Sequence, residues 1–122
     1  MLTEIQEKWL QALESGEYKQ VRDELHYRGG YCCLGVATHV LYPDHEALRF
    51  NGWVEPDSPF KQQTAPPDVQ RALGLRDDCG HIKGGNSCDC LTEMNDSGRF
   101  SLKEIAAFIR ENPEKVFIQE GE

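Results

Sequence analysis

Tyr31-Cys32-Cys33-Leu34-Gly35-Val36-Ala37-Thr38-His39-Val40-Leu41-Tyr42, followed by Pro43, is the longest nearly apolar stretch of the chain. Thr38 and His39 interrupt it, and it falls short of the roughly 20 apolar residues that a membrane-spanning helix needs. It reads instead as a buried helix from about Cys33 to Leu41, burying Leu34, Ala37, Val40 and Leu41, which Pro43 stops. Just upstream, Tyr18, Gln20 and Arg22, then Leu25 and Tyr27, suggest extended chain. Arg28-Gly29-Gly30 reads as a tight hairpin turn that delivers Tyr31 and Cys32. Short strands feeding a buried helix predict an α+β fold, helix-rich, with a small antiparallel sheet.

Both ends of the chain add helices. Thr3-Glu4-Ile5-Gln6 has the spacing of a capping box, and Leu2, Ile5, Trp9 and Leu13 follow at helical intervals, with Leu10 widening the stripe. That helix should end at Ser15-Gly16. Ser101-Leu102-Lys103-Glu104 is a second capping box, opening an amphipathic helix on Leu102, Ile105, Ala106 and Ile109 that Pro113 ends. Val116-Phe117-Ile118 then reads as one edge strand. Between these ends, Ala65-Pro66-Pro67-Asp68 opens a short helix through Val69, Ala72 and Leu73 to Gly74. Leu91 and Met94 mark another, which Gly98 terminates. Residues 44–65 read as a loop with a short strand near Trp53 and Val54, and Phe60 as a further apolar position. Residues 77–89 read as a polar loop. No internal repeat breaks the chain, so residues 1–122 are expected to form one compact domain.

The charge balance narrows the function classes. With 13 Lys+Arg against 21 Asp+Glu the formal net charge is −8, which argues against coating nucleic acid or an anionic membrane. No direct nucleic-acid binding and no membrane association are expected. The five cysteines are Cys32, Cys33, Cys79, Cys88 and Cys90. An odd count with one vicinal pair, and an opening without a basic-then-apolar leader, suit reduced thiols in the cytosol.

Three constellations could carry chemistry. Cys79, His81, Cys88 and Cys90 have the ligand types of a zinc site, although Cys-x-Cys is a less common bite than Cys-x2-Cys. The plainer expectation is a polar loop with incidental thiols and no cofactor, and zinc stands as the alternative that these ligand types leave open. Residues 93–104 place Glu93, Asn95, Ser97, Arg99, Ser101 and Glu104 at the ligand offsets of a calcium loop, with Gly98 at its sixth position. A Glu in place of the compact first Asp, and a short entering helix, count against calcium. Two helix caps explain the same residues. Nucleophilic catalysis has no motif: there is no Gly-x-Ser-x-Gly elbow and no phosphate loop. Cys32 and His39 would stand about 10 Å apart along a helix. His26, His39 and His45 read as surface or partly packed residues, and no catalytic residue is assigned.

Two blocks resemble a family of short proteins common in bacteriophage genomes and prophages. One is Ser15-Gly16-Glu17-Tyr18-Lys19-Gln20, leading through Leu25 to Tyr31-Cys32-Cys33-Leu34-Gly35-Val36. The other is Leu91-Thr92-Glu93-Met94-Asn95-Asp96-Ser97-Gly98, with Phe100-Ser101 and Glu104-Ile105-Ala106-Ala107-Phe108-Ile109. The likeness runs over most of the chain, including the Ala-Leu-Gly-Leu segment at 72–75. It differs in Met94, where such proteins often carry Leu, and in the Cys79, Cys88 and Cys90 cluster. The resemblance brings no activity with it. It implies a phage accessory protein in the host cytosol, and such proteins often counter host defences.

The polar residues shared within these blocks suggest a ligand site made by Tyr18, Gln20, Arg22, Asn95 and Asp96 beside the start of the Cys32-Cys33 helix. A helix N-terminus with an arginine nearby favours an anion. The expectation is thus a non-enzymatic accessory protein that binds a host-derived small polar ligand, a nucleotide-derived defence signal being one such ligand. The rivals are an acidic interaction module that inhibits a host protein and a small enzyme of unknown reaction. Either binder could be an oligomer. For Asn95 and Asp96 the plainer expectation is that they cap a turn.

Overall fold

Thr3 opens the first helix as its spacing predicts. The computed structural model describes residues 2–22, 26–27 (backbone only), 29–45, 65–84 and 90–118, and in it α1 spans Glu4–Glu14. The capping box is complete: Gln6 N donates to Thr3 Oγ1, and Thr3 N donates to Gln6 Oε1. The same Gln6 side chain donates from Nε2 to Leu73 O at 2.8 Å, taking up a carbonyl at the end of another helix. That bond turns Gln6 inward beside Trp9, Leu10 and Leu13. Ile5, expected on the buried stripe, is 40% exposed instead.

The extended segment forms β1 (Lys19–Gln20), β2 (His26–Tyr27) and β3 (Gly30–Tyr31), in the order β1-β3-β2. β2 and β3 make the expected antiparallel hairpin, Tyr27 opposite Gly30, around Gly29 at φ +82°. The expectation of an antiparallel sheet needs correction, because β1 pairs with β3 in parallel, Lys19 opposite Gly30 and Gln20 opposite Tyr31. β2 runs back before β3 returns, so β3 enters between the other two with the direction of β1. The sheet is small and mixed, and the fold is helix-rich α+β.

α2 spans Cys33–Leu41, and Cys33 through Thr38 are all buried. A helix apolar on every side belongs in the interior. Trp9 Nε1 donates to Cys33 O at 2.9 Å and locks α1 across its first turn. α3 (Pro67–Leu73) starts on its proline and ends at Gly74, and α4 (Leu91–Asp96) precedes Gly98. α5 (Leu102–Glu111) has its capping box, Glu104 N donating to Ser101 Oγ and Ser101 N to Glu104 Oε1. Arg110 on α5 holds α1 by donating to Glu7 and Glu14 at 2.6–3.1 Å.

The segment after α5 departs from the expected edge strand. Pro113–Val116 is a one-turn helix, α6. Only Phe117 then makes an isolated antiparallel bridge, with Leu75. Proline favours the first turn of a helix more than Val-Phe-Ile favours a strand here. Phe117 packs edge-on against Trp9 at 6.1 Å, in a core shared by Leu34, Val69, Leu91 and Ile105. The strand expected near Trp53 and Val54, and Phe60, lie outside the described residues. No helix among the described residues is long and apolar enough to cross a membrane.

Candidate functional site

Asn95 sits at the end of α4 with no exposed surface. Its Oδ1 accepts from Cys33 N at 3.1 Å and from Gln20 Nε2 at 2.9 Å. Its Nδ2 donates to Val21 O at 2.8 Å and to Asp96 Oδ1 at 3.0 Å. Two acceptor and two donor positions are the full capacity of the amide. Gln20 Nε2 also donates to Phe100 O at 3.0 Å. Gln20, Asn95 and Asp96 do come together beside the start of α2, and they spend these bonds joining β1, α2 and α4.

The α2 N-terminus is occupied as well. Gly35 N donates to Cys32 Sγ at 3.3 Å, so a thiol serves as the N-cap, and Cys33 N is held by Asn95. Arg22 lies over Gly98, two residues beyond Asp96. A Cβ added to Gly98 would meet its guanidinium at 3.3–3.4 Å, and φ there is +79°. Tyr18 turns to α2, with Oη 2.8 Å from His39 Nδ1. Tyr18, Tyr31 and His39 form three ring contacts at 5.2–5.6 Å. Rings this close pack edge-on or tilted against one another, which ties Tyr18 to α2 and β3. Burial raises the Tyr18 and Tyr31 hydroxyls above their ordinary pKa, so both stay protonated.

The thiols are quiet. Burial pushes Cys32 up to about 12 and Cys33 well above its ordinary value. Cys79 is pushed up to about 12 by burial and then by Asp78, and Cys90 is raised mainly by burial. A thiolate, the form that attacks carbon or binds metal, is disfavoured at each. His81 faces Cys90 across a single antiparallel bridge, and Cys90 Sγ accepts Glu93 N as the N-cap of α4. Among the described residues no group of three or more His, Cys, Asp or Glu could hold a metal ion. Cys88 lies outside the described residues. Of the candidate calcium ligands, Asn95, Ser101 and Glu104 are committed to the clamp and the α5 cap, while Ser97 Oγ donates to Met94 O and accepts Arg99 N.

Among the described residues, an open feature lies beside α4. Two hollows of about 450 Å³ each meet over Ile82, Met94 and Phe100. One is edged by Cys90, Glu93, Ser97 and Arg99. The other is edged by Lys83, Gly84, Phe108 and Lys115. This size falls in the range of small-molecule sites, about 300–1,000 Å³, and an apolar floor with a few charged groups at the rim is their usual composition. Met94 belongs to the helix that carries Asn95, and Phe100 gives its carbonyl to Gln20. The polar clamp thus fixes the floor of the groove without lining it.

A model of one protein family matches residues 1–113, from before α1 to the end of α5. The chain belongs to this family, the domain of unknown function DUF8296. No curated protein and no solved structure matches the chain. Every groove residue except Lys115 lies within the DUF8296 match. Ile82, Lys83 and Lys115 carry no motif, and their meeting with Met94 and Phe100 depends on contacts far apart in sequence. Phe100, an exposed aromatic two residues after a glycine stop and directly before a helix cap, was a local signal, and Met94 and Phe108 stand in the same shared block.

Proposed function

We propose that this DUF8296 domain is a non-enzymatic phage or prophage accessory protein that holds a host-derived small polar ligand in the groove over Met94 and Phe100. The phage setting follows from the resemblance of the sequence blocks. The groove is the observation that carries the reading: it is ligand-sized, apolar below and charged at the rim. Among the described residues, the buried thiols and the clamp amides favour binding over turnover. The buried thiols are protonated, and the Asn95 and Gln20 amides are engaged in holding β1, α2 and α4 together.

Methyl- and aromatic-resolved NMR of the protein against fractionated small-molecule extract of bacterial cells tests this. At least one fraction should shift the Ile82, Met94 and Phe108 signals, with native mass spectrometry reporting an added small mass. Extracts that shift none of these signals, or only signals remote from the groove, would refute the reading.

A further inference from the structure

We infer that the ligand is a zwitterion with an apolar side chain, an amino acid or a short peptide. Its ammonium meets Glu93, its carboxylate meets Arg99, and its side chain lies on Met94 and Phe100. This deepens the proposed reading of the groove and rests on it. The half of the groove beside Cys90 is edged by one acid and one base, Glu93 and Arg99, over a floor of Ile82, Met94 and Phe100. Among the described residues, neither charged side chain has a hydrogen-bond or ion-pair partner. Arg110 behaves otherwise, closing on Glu7 and Glu14 at 2.6–3.1 Å. Glu93 and Arg99 border one hollow of about 450 Å³ without closing on each other.

The local sequence sets this placement. Glu93 lies in the first turn of α4, and Ser97 caps its end, about 6 Å farther along the axis at about 1.5 Å per residue. Gly98, at φ +79°, turns the chain there, and Arg99 N donates to Ser97 Oγ at 3.2 Å. Gln20 Nε2 holds the Phe100 carbonyl at 3.0 Å and the Asn95 clamp holds α4, so acid and base are carried on one fixed frame. A body seated on Met94 and Phe100 displaces water from both charged groups, and a charge that loses water without gaining a counterpart costs free energy. An anion is repelled by Glu93, a cation is repelled by Arg99, and a neutral body leaves both charges uncompensated. A zwitterion supplies a partner to each. Guanidinium receives a carboxylate through two parallel N–H bonds, and an ammonium donates to a carboxylate. The thioether and the ring beneath accept an apolar side chain, aromatic ones included.

The test removes one charge at a time. The full chain is titrated by NMR with phenylalanine, the dipeptide leucyl-phenylalanine, N-acetylphenylalanine and phenylalaninamide. Phenylalanine or the dipeptide should bind at least about ten-fold more tightly than either singly charged analogue. Tighter binding of phenylalanine assigns a free amino acid as the source of the zwitterion, and tighter binding of the dipeptide assigns a peptide. Glu93→Gln and Arg99→Gln, each checked for an unchanged melting profile, should each weaken the preferred zwitterion by about ten-fold. Their effects should cross on the analogues: Glu93→Gln leaves N-acetylphenylalanine binding no weaker, and Arg99→Gln leaves phenylalaninamide binding no weaker. Either analogue binding as tightly as the preferred zwitterion overturns the inference while leaving the groove a ligand site. Zwitterion binding unaffected by either variant overturns it too. If no probe binds, while a cell-extract fraction does shift the groove signals, this inference alone fails; if neither binds, the reading of the groove fails with it.

Discussion

Asn95 fills all four of its hydrogen-bonding positions where water does not reach, so the cost of replacing it follows from what is left behind. Asn95→Ala strands the Cys33 amide and the Val21 carbonyl. A stranded buried group costs about 1–3 kcal/mol, so urea unfolding should show a loss of about 2–5 kcal/mol. Gln20→Ala removes a half-buried donor from two acceptors and should cost nearer to 1 kcal/mol. A loss below about 1 kcal/mol for Asn95→Ala would mean that the clamp is dispensable. The residue was visible in the sequence as part of an Asn-Asp pair, and a turn cap was the plain expectation for it. Its partners in β1 and α2 were not visible, because 62 to 75 positions separate them from it.

Helix ends were the legible elements because their signals are local. Thr3 to Gln6, Ser101 to Glu104, Pro67 and Gly74 each fix a terminus within one turn, and the structure places α1, α5 and α3 there. The parallel β1–β3 pair and α6 escaped such a reading, since apolar alternation over two or three residues does not select strand direction or exclude a helical turn. The thiol caps of α2 and α4 escaped it because sulfur is a weak acceptor seldom read as a cap. Cys90→Ser supplies a better acceptor at a half-buried cap, and should stabilise the protein by a few tenths to about 1 kcal/mol, with Cys90→Ala changing stability in the opposite direction. A destabilised Cys90→Ser protein would show that the thiol is needed for more than capping. Between elements, Arg110 joins α5 to α1. Its hydrogen bonds lower the pKa of Glu7 and Glu14 below the ordinary 4.5. A depressed carboxylate contributes stability that is complete above its unfolded pKa and lost as pH falls through the folded one. Arg110→Met should therefore lower stability at neutral pH and flatten its decline on acidification below about pH 5. An acid limb identical to that of the wild type would rule out the staple as a source of pH dependence.

At the scale of the whole molecule the net charge of −8 works against compactness, because like charges held on one small body repel. Chain-length scaling gives a radius of gyration of roughly 14 Å. The Debye length is about 30 Å at 0.01 M salt and about 10 Å at 0.1 M, so the repulsion spans the molecule at low salt and is cut back at the higher one. The Arg110 bonds to Glu7 and Glu14 are made at 2.6–3.1 Å, well inside either length, and keep most of their strength. The melting temperature should therefore rise between about 0.01 M and about 0.1 M salt, and by more in Arg110→Met, which carries one cation fewer. A melting temperature that falls over this range in the wild type would mean that local ion pairs, and not the net charge, dominate the electrostatics of the fold.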